Sequence, residues 1–344
     1  MSGLYPWQQA DWRKLQSLRN RPTQGLLFMG MKGIGKLELA IRYARSLLCE
    51  HPLDDGQACE VCPACHWFEQ GSHPDFRMVQ PEADSEETDA AKAEASKAEA
   101  SKAGTGKKPS KQISVEQIRG LADFLAMTAH QGGRRVVVIH PAEAMNVYAA
   151  NALLKSLEEP PAGFVFILVT HKPQQILPTL LSRCLTLGIA APDAATATRW
   201  LAEQGVAQPA DALAVAGFAP LLALRDAGEA ALEARDKLLH ALRRPAQLDV
   251  FALAEALQKT ELAIVVQWVQ QWCHDLVLMK LTGQLRYHPA EAKLVRELVA
   301  PLDALALARL QRHLQQVRKE AQHTLNPKLF LESLFFTYLR LTSD

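Results

Sequence analysis

Three groups of residues in this chain could do chemistry. The first is Gly30-Met31-Lys32-Gly33-Ile34-Gly35-Lys36-Leu37, which follows the apolar run Leu26–Met29 and opens into a helical pattern through Leu39, Ala40, Tyr43, Ala44 and Leu47. Strand, glycine-rich loop and helix in that order make a phosphate-binding loop, in which backbone N–H groups and Lys36 would cradle phosphates. Such a loop ends in Ser or Thr, whose hydroxyl holds magnesium, and this one ends in Leu37. The strand Val136–Ile139 would then finish in an acidic pair that completes the metal site. It finishes in His140-Pro141. Both metal contacts are missing, so Gly30, Gly33, Gly35 and Lys36 form a vestigial phosphate loop, and productive binding of ATP with Mg2+ is not expected. Glycines also persist in such loops simply because the backbone needs positive φ.

The second group is Cys49, Cys59, Cys62 and Cys65, spaced C-x9-C-x2-C-x2-C directly after the helix that follows the loop. Four clustered thiols in a reducing compartment point to a structural Zn2+ held by thiolates at about 2.3 Å. His51 and His66 lie nearby, but four thiols already complete a tetrahedron. A nucleic-acid-reading finger is the competing reading. It would need basic or aromatic residues, and the stretch from Glu50 to Asp75 holds six acids and no Lys or Arg, with only Trp67 and Phe68 to stack on a base. Cys184 and Cys273 lie in apolar stretches and read as buried thiols.

The elements that must position these groups come from periodicity. Short apolar runs at Leu26–Met29, Phe76–Val79, Val136–Ile139, Phe164–Val169 and Cys184–Ile189 alternate with helical stretches around 36–48, 114–129, 143–158 and 173–181. That alternation predicts an α/β fold, a parallel sheet with helices on both faces. Ser114-Val115-Glu116-Gln117 reads as a capping box. After Pro192 only helical periodicity remains: three short helices to about residue 227, then longer ones at 229–243, 248–257, 261–282, 289–299, 302–321 and 327–342. The expected domains are 1–190 with the cysteine module, a three-helix unit over 191–228 and an all-α unit over 229–344. Residues 82–112 interrupt the first domain with a Lys-Ala-Glu-Ala-Ser repeat at 92–96 and 97–101 and almost no large apolar side chains. That composition cannot build a core, so the segment reads as an insertion without fixed structure.

The balance of 38 basic against 37 acidic residues gives no global pull on a polyanion. The stretch from Met1 to Leu15 lacks the apolar core of a signal peptide, and the longest apolar runs are strand length. A soluble cytoplasmic protein with no membrane partner is expected.

The third group, Ser182-Arg183-Cys184, carries a resemblance. Together with the phosphate loop and the run Ala149-Ala150-Asn151-Ala152-Leu153-Leu154-Lys155-Ser156-Leu157-Glu158-Glu159-Pro160-Pro161, it resembles the clamp-loader subunits of bacterial DNA polymerase III, members of the AAA+ superfamily. The likeness spans about the first 190 residues, and the helical remainder matches that family's lid and collar. The resemblance implies an AAA+ sheet, a zinc module on Cys49, Cys59, Cys62 and Cys65, and an arginine finger, Arg183, which would act in trans on ATP held by a neighbouring subunit. Motor subunits of the family keep the metal-binding acids, whereas the delta-prime pattern loses them and keeps Ser-Arg-Cys, as here. The lid helix beginning Ala219-Pro220-Leu221-Leu222 also lacks the arginine that motor subunits place there. The implied role is a stator in a complex with the ATPase motor subunits and the delta subunit, meeting the sliding clamp and primed DNA through that complex. An active motor-type ATPase and a zinc-dependent nucleic-acid-binding protein are the alternatives. In simpler readings, Arg183 is a surface arginine at a helix end, and Glu158-Glu159 is a solvated helix terminus.

Overall fold

The computed structural model describes residues 3–19, 25–84, 110–126, 133–159, 163–226, 229–321 and 326–343. Residues 85–109 of the insertion, 127–129 of the expected helix 114–129, and Pro160-Pro161 lie outside the described residues. The chain separates into two compact units, Met1–Ala191 and Pro192–Asp344.

The first unit is built on five parallel strands: β1 (Gly25–Met29), β2 (Phe76–Val79), β3 (Arg135–Ile139), β4 (Phe164–Thr170) and β5 (Leu185–Gly188), in the order β2-β3-β4-β1-β5. β3 and β4 are buried along their whole length, which is why their sequences read as unbroken apolar runs rather than an alternation. β1 lies between β4 and β5, with Gly25 opposite Phe166 and Leu26 opposite Leu185. One face of the sheet packs against Trp12 and Leu15 of the helix Gln9–Leu18 and Leu39, Tyr43 and Leu47 of the helix Lys36–Leu48. The other packs against Ala149, Leu153 and Leu157 of the helix Val147–Glu158 and against Ile118 and Leu121.

Local chemistry sets the helix ends. Ser114 and Gln117 cap each other reciprocally, the Gln117 amide donating to Ser114 Oγ at 3.4 Å and the Ser114 amide to Gln117 Oε1 at 2.9 Å. The expected helix 114–129 is broken: Val115–Arg119 ends at Gly120 and Leu121–Ala126 begins anew. The expected helix 143–158 starts later, at Val147, because Asn146 accepts the Ala149 amide at 2.8 Å and caps it there. The ends of the insertion meet: the Ala83 amide donates to the Ser110 carbonyl at 3.1 Å, and the Ser110 amide to the Glu82 carboxylate at 3.3 Å.

The second unit is helical. Ala194–Glu203, Pro209–Val215 and Pro220–Arg225 are followed by Glu229–Leu242, Val250–Leu257, Leu262–Thr282, Ala292–Val299, Ala304–Glu320 and Pro327–Ser343. Its core centres on Trp272, Phe335 and Tyr338, and Trp272 Nε1 donates to the Tyr338 hydroxyl, which donates on to the Leu242 carbonyl. Asp275, fully buried, accepts from the amides of Arg286, Tyr287 and His288 and from His288 Nδ1 at 2.8–3.1 Å. Burial works against its charge, but His288 and the three amides outweigh burial and hold the carboxyl below its usual range.

Asp275→Ala should therefore cost about 3–5 kcal/mol at pH 7, because it strands three amides and a histidine. A depressed carboxyl pKa stabilises the fold above about pH 4 and loses that contribution as pH falls through the folded value. Urea unfolding of wild type and variant should show a gap that narrows below pH 4. A gap that is small at pH 7, or that does not change with pH, would contradict this.

Candidate functional site

The sheet order brings three loops to one edge. β1, β3 and β4 end at Met29, Ile139 and Thr170, so the phosphate loop, His140 and His171 converge there. Gly30, Gly33 and Gly35 all take positive φ. A Cβ on Gly30 would meet the Ile189 carbonyl at 2.7 Å, so only glycine fits at the strand exit. Lys36 begins the helix and is almost fully buried, with its ammonium donating to the Met31 carbonyl of its own loop. Burial lowers its pKa to about 8, against the opposing pull of Glu143 and Glu38. Leu37, where a metal-binding hydroxyl would sit, is half-buried and packs against the core of this face.

His140, which stands at the first position of the missing acidic pair, bonds to His171 at the end of β4. His140 Nε2 and His171 Nε2 lie 3.1 Å apart, with the rings crossed at 77°. Burial first, and Lys36 second, lower both, His140 to about 4 and His171 to about 3, so both are neutral at pH 7. The Glu143 carboxylate accepts the His171 amide at 3.1 and 3.3 Å. Two neutral rings beside an ammonium cannot supply the negative charge that would hold magnesium.

The N-terminal residues also close on this loop, which sequence reasoning missed. Trp7 Nε1 donates to the Ile34 carbonyl at 2.9 Å, Gln8 Nε2 donates to the Gly35 carbonyl at 2.6 Å, and Tyr5 stacks on Trp7. The helix Gln9–Leu18 was missed as well. Pro6 at the head of this segment, with Trp12 and Leu15 at helical spacing, was the available signal.

The four cysteines converge as expected. All four sulfurs lie within 4.8 Å of one another, with Cys49 to Cys59 at 3.5 Å and Cys49 to Cys62 at 3.9 Å. A tetrahedral ion with bonds of about 2.3 Å needs sulfurs about 3.8 Å apart, so the donor set and spacing are compatible with structural zinc. Glu60, at φ 65°, makes the turn between Cys59 and Cys62, and Pro63 starts the helix that carries Cys65. The Val61 amide pulls the Cys59 thiol below its ordinary value, while burial pushes Cys49 and Cys65 above theirs. His51 and His66 are exposed and outside the cluster. Phe68 is buried against Phe76, which removes one of the two aromatic side chains a nucleic-acid finger would need. The cysteine loop is fastened by Arg19, which donates to the Ser46 and Gly56 carbonyls, and by Trp12 Nε1 donating to the Asp55 carbonyl.

Arg183 lies between the helix Pro178–Leu181 and β5, at the opposite ends of the strands from the phosphate loop. Its guanidinium is exposed and donates to the Thr179 carbonyl at 3.1 Å, the helix-end contact anticipated as the simpler reading. It also pairs with Glu158 at 2.5 Å, so Glu158 is not the free solvated terminus expected. Cys184 is half-buried, and burial pushes its thiol up to about 11; Cys273 is fully buried. The helix Pro220–Arg225 carries one arginine, Arg225, in its last turn, paired with Asp226.

Comparison with known proteins agrees with this architecture. A family model described as "DNA polymerase III, delta subunit" matches residues 7–193, and one described as "DNA polymerase III, delta subunit, C terminal" matches 229–338. DNA polymerase III subunit delta' of Pseudomonas aeruginosa is 37% identical over 288 residues, covering 82% of this chain and 80% of the relative. The same subunit of Yersinia pestis is 30% identical over 328 residues, covering 92% and 89%. The crystal structure of a DNA polymerase III gamma subunit-related protein from Thermotoga maritima superposes with a TM-score of 0.50 at 17% identity, covering 95% of this chain and 99% of that one. The fold is that of AAA+ proteins. Both halves of the chain match the same family and the relatives span most of its length, so the chain belongs to the delta-prime family of DNA polymerase III subunits.

Proposed function

We propose that this chain is a non-hydrolysing stator of a DNA polymerase III clamp loader, which lends Arg183 to the ATP site of a neighbouring motor subunit. The observation that carries this reading is the pairing of a disabled site with an exposed guanidinium. Leu37 and His140-Pro141 stand where the metal-holding groups would be, His140 is neutral and paired with His171, and Lys36 is turned back onto Met31. Arg183, at the other end of the sheet, is exposed on the surface, where a partner's phosphate could reach it. A guanidinium is always charged and forks onto phosphate oxygens, so it can stabilise the charge of phosphoryl transfer in trans.

The remaining parts fit that role. Cys49, Cys59, Cys62 and Cys65 would hold a structural Zn2+, which would stiffen an acidic loop unsuited to DNA contact. Residues 191–228 would serve as a lid and 229–344 as a collar. The collar keeps Phe251, Leu329 and Phe336 exposed, with the Phe251 and Phe336 rings 5.8 Å apart, an apolar surface suited to association with the motor and delta subunits. The sliding clamp and primed DNA would be met through that complex. The motor-type alternative is disfavoured by the same replacements at 37 and 140–141.

Zinc binding is tested by metal analysis and hydrogen exchange. Wild type should carry one zinc, and Cys62→Ser should lose it and raise exchange across 49–75 while β1, β3 and β4 stay protected. A metal-free wild type with the loop equally protected would contradict the assignment.

The finger is tested in the reconstituted complex. Arg183→Ala should leave folding and assembly unchanged and lower DNA-stimulated ATP hydrolysis. A trans finger is worth about 10³–10⁵ in rate at one site, but the other sites of the complex keep their own, so the measured loss will be smaller. Lys should rescue poorly, because a point charge lacks the planar fork. Wild-type hydrolysis and loading by normally assembled Arg183→Ala complexes would contradict the reading.

A further inference from the structure

We propose that Glu158 is a positioning residue for Arg183, holding the guanidinium ordered at the surface until a neighbour's terminal phosphate takes its place. This inference rests on the trans role of Arg183 argued above.

The geometry that carries it begins at the backbone. Glu158 directly follows Leu157, and Arg183 directly precedes Cys184; Leu157 is buried in the core against which Cys184 packs. The two segments close over the start of β1, where a Cβ on Gly25 would meet Cys184 Sγ at 3.1 Å, Leu157 Cδ2 at 3.1 Å and the Arg183 carbonyl at 3.3 Å. Little free space is left between these segments and β1, so the roots of the two side chains are held beside each other. Their tips are in solvent, with 35% of the Arg183 side chain and 48% of the Glu158 side chain exposed. The pair closes from Arg183 Nη2 to Glu158 Oε1 at 2.5 Å, while Arg183 Nη1 donates to the Thr179 carbonyl at 3.1 Å and to Ser182 Oγ at 3.4 Å.

This arrangement suits a group that must be ordered but not trapped. A free arginine side chain loses much rotamer freedom when it engages a ligand, and prior ordering removes that cost. An exposed ion pair is weak, so it yields readily to a bidentate contact with a phosphate. A buried carboxylate in the same position would hold the guanidinium too tightly to release it.

The test uses the reconstituted complex carrying Glu158→Gln, Glu158→Asp, Arg183→Ala, or Glu158→Gln with Arg183→Ala together. Glu158→Gln should assemble normally and lower kcat for DNA-stimulated ATP hydrolysis about threefold to tenfold. The KM for ATP should stay unchanged, because the motor subunit's own site still binds the nucleotide. Glu158→Asp should recover part of the rate, and in the Arg183→Ala background the Glu158 change should add nothing. Unchanged kcat in Glu158→Gln, with Arg183→Ala still impaired, would overturn this proposal alone. An equal loss from Glu158→Gln with and without Arg183 would also overturn it, since the carboxylate would then act independently. No loss from Arg183→Ala would overturn the finger reading itself.

Discussion

The constraint on which the first unit depends is the confinement of β1 between β4 and β5. The strand is paired on both sides, tightly packed where it begins at Gly25 and open only to glycine just beyond its end at Gly30. At its start, Gly25 leaves room for Leu157 and Cys184 to close, which fixes the roots of Glu158 and Arg183. At its end, Gly30 passes under the Ile189 carbonyl and opens the phosphate loop. One short strand therefore sets the geometry of both the vestigial site and the arginine. The two lie at opposite ends of the sheet.

At the loop end of β1, the electrostatics differ from those a hydrolysing site needs. A hydrolysing site needs anionic side chains to balance a divalent ion beside the loop lysine. Here two neutral imidazoles bond to each other, and the lysine is buried against its own loop. Burial and the neighbouring ammonium disfavour protonation of the rings, so the pair stays neutral near pH 7. Trp7 and Gln8 take up the carbonyls of Ile34 and Gly35, which holds the loop in shape with no ligand in it.

Much of this was legible in the sequence. The inner strands announce themselves because a parallel sheet covered on both faces demands apolar runs, which Val136–Ile139 and Phe164–Val169 supply, whereas the edge strands β2 and β5 are partly exposed. The cysteine spacing led to the right cluster, since x2 gaps force tight turns. What periodicity could not supply were contacts between segments distant in the chain. Glu158 reads as a solvated helix end until Arg183, on the far side of β4, is brought beside it. His140 and His171 are separated by 31 positions, and only the pairing of β3 with β4 makes them partners. The break at Gly120 went unread because the apolar spacing on either side of it, Ile118 and Leu121, still fits one helix face. The helix Gln9–Leu18 was overlooked although Trp12 and Leu15 anchor it, because its polar flanks dominate the local pattern.

The central claim is that the chain contributes to ATP hydrolysis without performing it. Its most direct test is turnover by the purified chain alone, at saturating ATP and magnesium, beside a Lys36→Ala control. The account predicts no phosphate release above that control, because Leu37 and His140-Pro141 stand where the hydroxyl and the acidic pair that hold magnesium would be. Steady turnover that disappears with Lys36→Ala would contradict it.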